Sequence, residues 1–402
     1  MSSSTIFSIQ GKGLKLDTRA DVETHLKDLY AMPDVEEVHM GGNTLGVEAC
    51  QTIAEILKKA TKLKVADFAD IFTGRLISEI PQSLSAICDA LIDKTSLVEL
   101  NLSDNAFGGR CVDPMVPFLT HNRHFQIFKL NNNGLGPAGG TVVANALHES
   151  AKLSKAEGKT SNLRMLICGR NRLENGSAAA WADAFAAHGG LVEVRMPQNG
   201  IRMEGIALLA KGLSQCPNLE YLDVQDNTCT ASGSRAIAAG LPSWPRLRTL
   251  NLSDCLLGGK GGIAIALALQ HGSSKELETL KLQYGELDHR SLDLLASAIH
   301  DHLPNLTTLE LNGNRADPED ECITNIKDAL TTHGHEDALD ELDDMEEWDG
   351  EEVEEGEDED EAEEDEKDED EEKEEPVVVK ATATDKAADD LADLLGKVSL
   401  NN

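Results

Sequence analysis

The stretch LVELNLSDN, from Leu97 to Asn105, decides how this chain folds. Its apolar residues at the first, fourth and sixth positions alternate with polar ones, the spacing of a short strand with one face turned inward. Asn at the ninth position ends the strand, because its side-chain amide can pair with backbone groups inside a turn. The pattern recurs as FQIFKLNNN (125–133), LRMLICGRN (163–171), LVEVRMPQN (191–199), LEYLDVQDN (219–227) and LTTLELNGN (306–314). Looser copies are VEEVHMGGN (35–43), LKVADFADI (63–71), LRTLNLSDC (247–255) and LETLKLQYG (277–285). The ninth positions fall at 43, 71, 105, 133, 171, 199, 227, 255, 285 and 314, with a dominant period of 28.

The rest of each unit has helical spacing, as in Ala236 to Leu241. Each unit therefore reads as strand, turn and helix. One unit cannot bury its apolar stripe alone, but stacked units share a continuous core. The expected fold is α/β: a leucine-rich-repeat horseshoe of about ten to eleven units, with strands on the concave face and helices outside. Residues 1–30 are expected to form an N-terminal cap, with Phe7, Ile9, Leu14 and Leu16 shielding the first unit. The repeats are expected to occupy 31–335, with 316–335 closing the far end. Two intervals are long. One follows Ile71, in the neighbourhood of Asp67 to Arg75; the other carries the polar insertion HESAKLSKAEGKTSN (148–162), expected to be a surface loop extending a helix.

Charge separates body from tail. The 402 residues carry a net charge of −36, of which −27 lies in residues 336–375. That segment cannot bury enough apolar surface to offset its chain entropy and self-repulsion, so disorder is expected there. Residues 376–402 follow, with a candidate short amphipathic helix at 387–400. So acidic a chain is a poor direct binder of nucleic acid or of anionic membrane. No apolar run reaches membrane-spanning length. The eight cysteines form no CxxC pair and read as small buried apolar residues of a reducing compartment. No metal site is expected. The sequence has no GxSxG, HExxH or GxxxxGK[ST] motif, and Gly258 to Gly262 falls at an ordinary turn-to-helix junction. A stacked solenoid of this kind offers a surface for another protein.

Two features single out residues on that surface. Arg75 sits on the Gly-containing loop after Ile71. The residue before each ninth position gives the row Gly42, Asp70, Asp104, Asn132, Arg170, Gln198, Asp226, Asp254, Tyr284 and Gly313. Strand-to-turn geometry should fan these side chains along one rim.

DIFTGR (70–75), LSDNAFG (102–108), LNNNGLGP (130–137) and CGRNRLENGS (168–177), with QNGIRMEG (198–205), LQY (282–284) and DELDDMEE (340–347), resemble the Ran GTPase-activating proteins of the fungal type. The resemblance spans nearly the whole chain, irregular intervals included. It implies a cytoplasmic, monomeric protein of nucleocytoplasmic transport that binds Ran-GTP, with or without a Ran-binding protein, and accelerates GTP hydrolysis in trans. It implies no cofactor of its own, since GTP and Mg²⁺ sit on the GTPase. It places the critical Asn at Asn132, where it orders the GTPase's catalytic Gln, and the critical Arg at Arg75. Partner contacts fall to Asp70, Thr73, Asp104, Lys129, Asn131, Arg170, Arg172, Gln198, Asp226, Asp254 and Tyr284. Gly285 departs from the family's Asn and should weaken one rung of the Asn ladder. Nothing after the tail matches the animal proteins' C-terminal domain. The alternative is a non-catalytic leucine-rich-repeat scaffold or inhibitor with an acidic tail.

Overall fold

Each repeat contributes a strand of only three residues, centred on the fourth position of the motif, as in Glu99–Asn101 and Ile127–Lys129. The computed structural model describes residues 5–346. Within them eleven such strands, from Ile6–Ser8 to Thr308–Glu310, form one sheet in chain order. All neighbours are parallel, and their central residues Phe7, Val38, Ala66, Leu100, Phe128, Leu166, Val194, Leu222, Leu250, Leu280 and Leu309 stand opposite one another. That row is buried from end to end. The register is fixed because a slip of one residue would turn every one of these side chains outward.

The eleventh strand comes from the segment expected as a cap. Ile6–Ser8 pairs with Glu37–His39, while Phe7, Ile9 and Leu16 are buried and Leu14 packs against the core. The cap is thus half a repeat that extends the sheet. Helices such as Val47–Lys59, Met203–Leu213 and Thr230–Gly240 carry the chain back, their apolar faces packed on the sheet. The polar insertion is mostly helix: Gly136–Ala156 runs for 21 residues before the chain turns. All eight cysteines are buried and free. Burial pushes the Cys88 and Cys168 thiols up to about 12, so they stay protonated and behave as packing groups.

The ninth-position asparagines form a ladder under the turns. Asn133 Nδ2 donates to Leu130 O of its own repeat (3.2 Å) and to Leu102 O of the preceding one (3.0 Å). Its Oδ1 accepts from Asn105 N (3.0 Å). The same Oδ1 contact links Asn171 to Asn133 N (2.9 Å), Asn199 to Asn171 N (2.9 Å) and Asn227 to Asn199 N (3.2 Å). Where the motif lacks Asn, the rung changes. Ile71 is buried and has no side-chain amide, so it meets Asn105 Oδ1 through its backbone N–H, and Cys255 reaches the Val224 carbonyl through Sγ (3.3 Å). Gly285 donates its backbone N–H to Asn314 Oδ1 (3.1 Å) but has no side chain to reach back.

The C-terminal edge departs from expectation. Residues 336–346, counted with the acidic tail, are paired against the last repeat. Leu309 N donates to Ala338 O (2.8 Å), Asp340 N to Leu309 O (3.0 Å) and Glu346 N to Asn314 O (2.9 Å). The Asp340 carboxylate accepts from Leu311 N, Asn312 N and Gln283 Nε2 at 2.8, 3.2 and 2.9 Å. An open sheet edge needs backbone partners, and an acid that accepts N–H bonds supplies them as well as an apolar strand would. The boundary of the ordered body therefore lies beyond 335. Residues 347–375 and the candidate helix at 387–400 lie outside the described residues.

Candidate functional site on the rim

All ten residues of the rim row adopt positive φ, from 47° at Asp70 to 76° at Gly313. This is the left-handed turn that the ladder Asn closes from beneath. The backbone of the row is locked as well. Asp104 N, Asn132 N, Arg170 N, Gln198 N, Asp226 N, Asp254 N and Tyr284 N each donate to a carbonyl of the next repeat at 2.8–3.0 Å. Side chains of neighbouring repeats therefore leave the rim at the spacing of the strands, about 4.8 Å.

The central part of the row borders an open groove of about 770 Å³, lined by Asn132, Arg170, Arg172, Gln198, Asp226, Asp254, Leu256 and Tyr284 among others. Its charge is divided. Arg170 and Arg172, which form no ion pair among the described residues, lie one repeat from Asn132, and Asp226 and Asp254 lie toward the far end. Asn132 Nδ2 donates to Asp104 Oδ1 (3.1 Å). A carboxylate only accepts, so it fixes the amide with nitrogen toward Asp104 and Oδ1 directed away from it. Gln198 Nε2 repeats the arrangement with Asp226 Oδ2 (2.6 Å).

Other expected contact residues are placed differently. Thr73 Oγ1 donates to Asp70 Oδ1 (2.6 Å), holding the long loop of the second repeat at the rim's N-terminal end. Asn131 Oδ1 accepts from Gly169 N (2.6 Å), so that side chain serves the turn itself. Lys129 lies on the concave strand Ile127–Lys129, paired with Glu99 Oε1 at 2.6 Å.

Arg75 does not reach out from its loop. Its side chain is 7% exposed and turned into the N-terminal segment. Nε donates to Thr44 Oγ1 (2.8 Å), and Nη2 to Thr44 O (2.8 Å) and Leu16 O (3.3 Å). Nη1 pairs with the Asp17 carboxylate. Hydrogen bonding to Arg75 holds the Asp17 carboxyl below its ordinary value. The planar fork of five donors ties the cap, the first repeat and the inserted loop together.

The sequence reading missed Leu256, which follows the ninth position of its repeat and lines the groove at 49% exposure. The signal was a lone leucine in the row of residues after the ladder. It also missed Asp344, whose Oδ2 accepts from Tyr284 Oη (3.0 Å). Away from the rim, His289, Asp320 and Cys322 bring potential ligand atoms within 4.8 Å of one another. There His289 Nε2 is already engaged by Asp320 Oδ2 at 2.6 Å.

A parallel solenoid with its variable polar side chains on a backbone-locked rim defines a leucine-rich-repeat protein. Residues 93–110, 121–144 and 246–266 match the Leucine Rich repeat family. Ran GTPase-activating protein 1 of Saccharomyces cerevisiae is 37% identical over 327 residues, 79% of this chain and 80% of that protein. Ran GTPase-activating protein 1 of Xenopus laevis is 46% identical over 48% of this chain and 34% of its own length. Ran GTPase-activating protein 2 of Caenorhabditis elegans is 42% identical over 51% of this chain and 22% of its own length. This chain spans most of the yeast protein and about a third or less of the two animal ones. It belongs to the Ran GTPase-activating protein family.

Proposed function

We propose that the rim binds Ran in its GTP form and that Asn132 orders the GTPase's catalytic Gln for attack of water on the γ-phosphate. The observation that carries this reading is the Asn132–Asp104 pair on a locked turn. Phosphoryl transfer to water needs the nucleophile held in line, and positioning supplies most of the acceleration. With Nδ2 committed to Asp104, Asn132 Oδ1 is an acceptor of fixed direction. It can take an N–H of the Gln amide and leave that amide's oxygen to orient the water. An asparagine loose on a solvated loop would lose rotamer entropy on engaging the Gln; here the turn and Asp104 have already set its direction.

Arg75 acts as a positioning residue in this reading. Its burial in the cap supports a role in shaping the N-terminal end of the rim, through Asp70 and Thr73, and argues against insertion at the phosphates. Arg170 and Arg172 are the cations near Asn132 free of ion pairs among the described residues, and they are assigned to acidic groups of the GTPase. The chain supplies no nucleotide, metal or active site of its own; GTP and Mg²⁺ belong to the GTPase. It acts as a cytoplasmic monomer, with or without a Ran-binding protein on the complex.

The test is single-turnover phosphate release from Ran·GTP. Wild-type protein is expected to stimulate strongly. Asn132→Ala should lower the maximal rate about 100-fold, roughly 2.7 kcal/mol, while still binding. A folded wild-type protein that gives no stimulation would overturn the reading.

A further inference from the structure

The groove's C-terminal end differs in chemistry from the rest of the rim. At the position after the ladder residue, six repeats share the left-handed conformation: Ala106, Gly134, Arg172, Gly200, Leu256 and Glu286. Two are glycine, the residue that takes this conformation without steric cost. Leu256 has φ 49°, where a bulky side chain crowds its own backbone. Half of it is nevertheless in solvent. A strained, exposed leucine, the bulky apolar residue among Ala106, Gly134, Arg172, Gly200 and Glu286 at this position, gains little for the fold, and strain of this kind gathers at functional sites.

Its neighbour in the groove is prepared in the same sense. Tyr284, 43% exposed, lies over Gly313, where an added Cβ would meet its ring carbon Cδ1 at 2.2 Å. Its hydroxyl donates to Asp344 Oδ2, so the ring is held by stacking on one side and a hydrogen bond at its tip. Leu256 and the Tyr284 ring are thus the large apolar groups of a groove whose other lining side chains are mostly charged or amide. Interfaces concentrate their energy in such rigid apolar anchors rimmed by polar groups.

We infer that Leu256 and Tyr284 form the apolar anchor on which the GTPase docks, at the opposite end of the groove from Asn132. The inference rests on the function proposed above and adds a division of labour. Four repeats separate the ladder positions 133 and 255, about 19 Å at the strand spacing. That span suits one face of a small globular protein that reaches both ends at once. The polar end then sets the chemistry and the apolar end sets affinity.

The experiment compares wild type, Leu256→Gly and Leu256→Asn in single-turnover titrations against Ran·GTP, with thermal melts of each. Both replacements accept positive φ and remove the apolar surface. The expected result is a melting temperature equal to or above wild type, an unchanged maximal rate, and a half-saturating concentration raised about tenfold. An unchanged half-saturation beside a fully active wild type would overturn this inference and leave the proposed function standing. So would a lowered melting temperature in both variants, which would make Leu256 a structural residue. An inactive wild type would overturn the proposed function, and this inference with it.

Discussion

Two rows of side chains run along this molecule one residue apart. Asn105, Asn133, Asn171, Asn199 and Asn227 point down and are buried, each bonded to two or more backbone groups. Asp104, Asn132, Arg170, Gln198 and Asp226 immediately precede them, point out, and vary freely. Both rows belong to the same turn. The lower row spends the amide chemistry of one residue type on closing that turn. The upper row inherits a fixed backbone at no demand on its own side chains, so it can diversify for a partner. Asn132 and Asn133 make the contrast sharpest, because the same residue type stands in both rows.

The largest expected effect tests that pair directly. Asn133→Ala would strip the buried Asn105 N–H of its acceptor and remove one donor from each of the Leu102 and Leu130 carbonyls, which keep Asn105 Nδ2 and Asn171 Nδ2. The orphaned N–H costs about 1–3 kcal/mol and the two lost carbonyl bonds add to it, so a loss of about 3 kcal/mol in denaturant unfolding is expected. Asn132→Ala should change the same measurement by less than about 0.5 kcal/mol. Comparable losses for the two variants would erase the distinction between rows.

Arg75→Ala comes next. It removes the guanidinium from Asp17, which keeps Lys15 Nζ at 3.3 Å, and from the Thr44 carbonyl, and about 2 kcal/mol should be lost, with hydrogen exchange rising first in residues 14–17. Arg75→Lys should recover only part of it, because an ammonium cannot reproduce the fork. Exchange unchanged in the cap would show that Arg75 acts elsewhere.

Asp104→Ala should lower the maximal activation rate about tenfold, near 1.4 kcal/mol, without moving half-saturation. Asp104→Asn, which can still accept from Asn132, should restore most of it. An effect on half-saturation alone would make Asp104 a docking contact.

The smallest effect lies off both rows. Burial lowers the pKa of His39, but hydrogen bonds to Glu37 (3.1 Å) and Asp67 (3.3 Å) outweigh it and raise the pKa overall. The stabilisation is then fully present below the unfolded value near 6.5 and is lost as pH rises through the higher folded value. About 0.5 kcal/mol is expected, read as a pH dependence of melting that vanishes in His39→Gln.

The repeat period, the ladder and the rim row were legible in the sequence, because each depends on residue type at a fixed spacing. The direction of Arg75 was not. Its partners Asp17 and Thr44 lie 58 and 31 residues away, and a Gly-containing loop reads as exposed when taken alone. Leu256 was hidden because the residue after a ladder position has no periodic apolar signal. Residues 336–346 were misplaced because composition counts charge and cannot count the backbone donors of an open edge. Asp340 reads as one more acid in a repelling run until Leu311 N and Asn312 N are seen to need it.

The ladder also carries a mechanical consequence. From Asn105 to Asn227 it is unbroken, whereas Cys255 and Gly285 interrupt it toward the C-terminus and Ile71 toward the N-terminus. In a one-dimensional array each unit is held only by its neighbours, so weak couplings mark where the chain divides into cooperative blocks. The stiffest block of this solenoid is the one that bears Asn132, and the softer joint falls beside Leu256. A partner seated across both would bridge that joint and restrain the hinge as it bound.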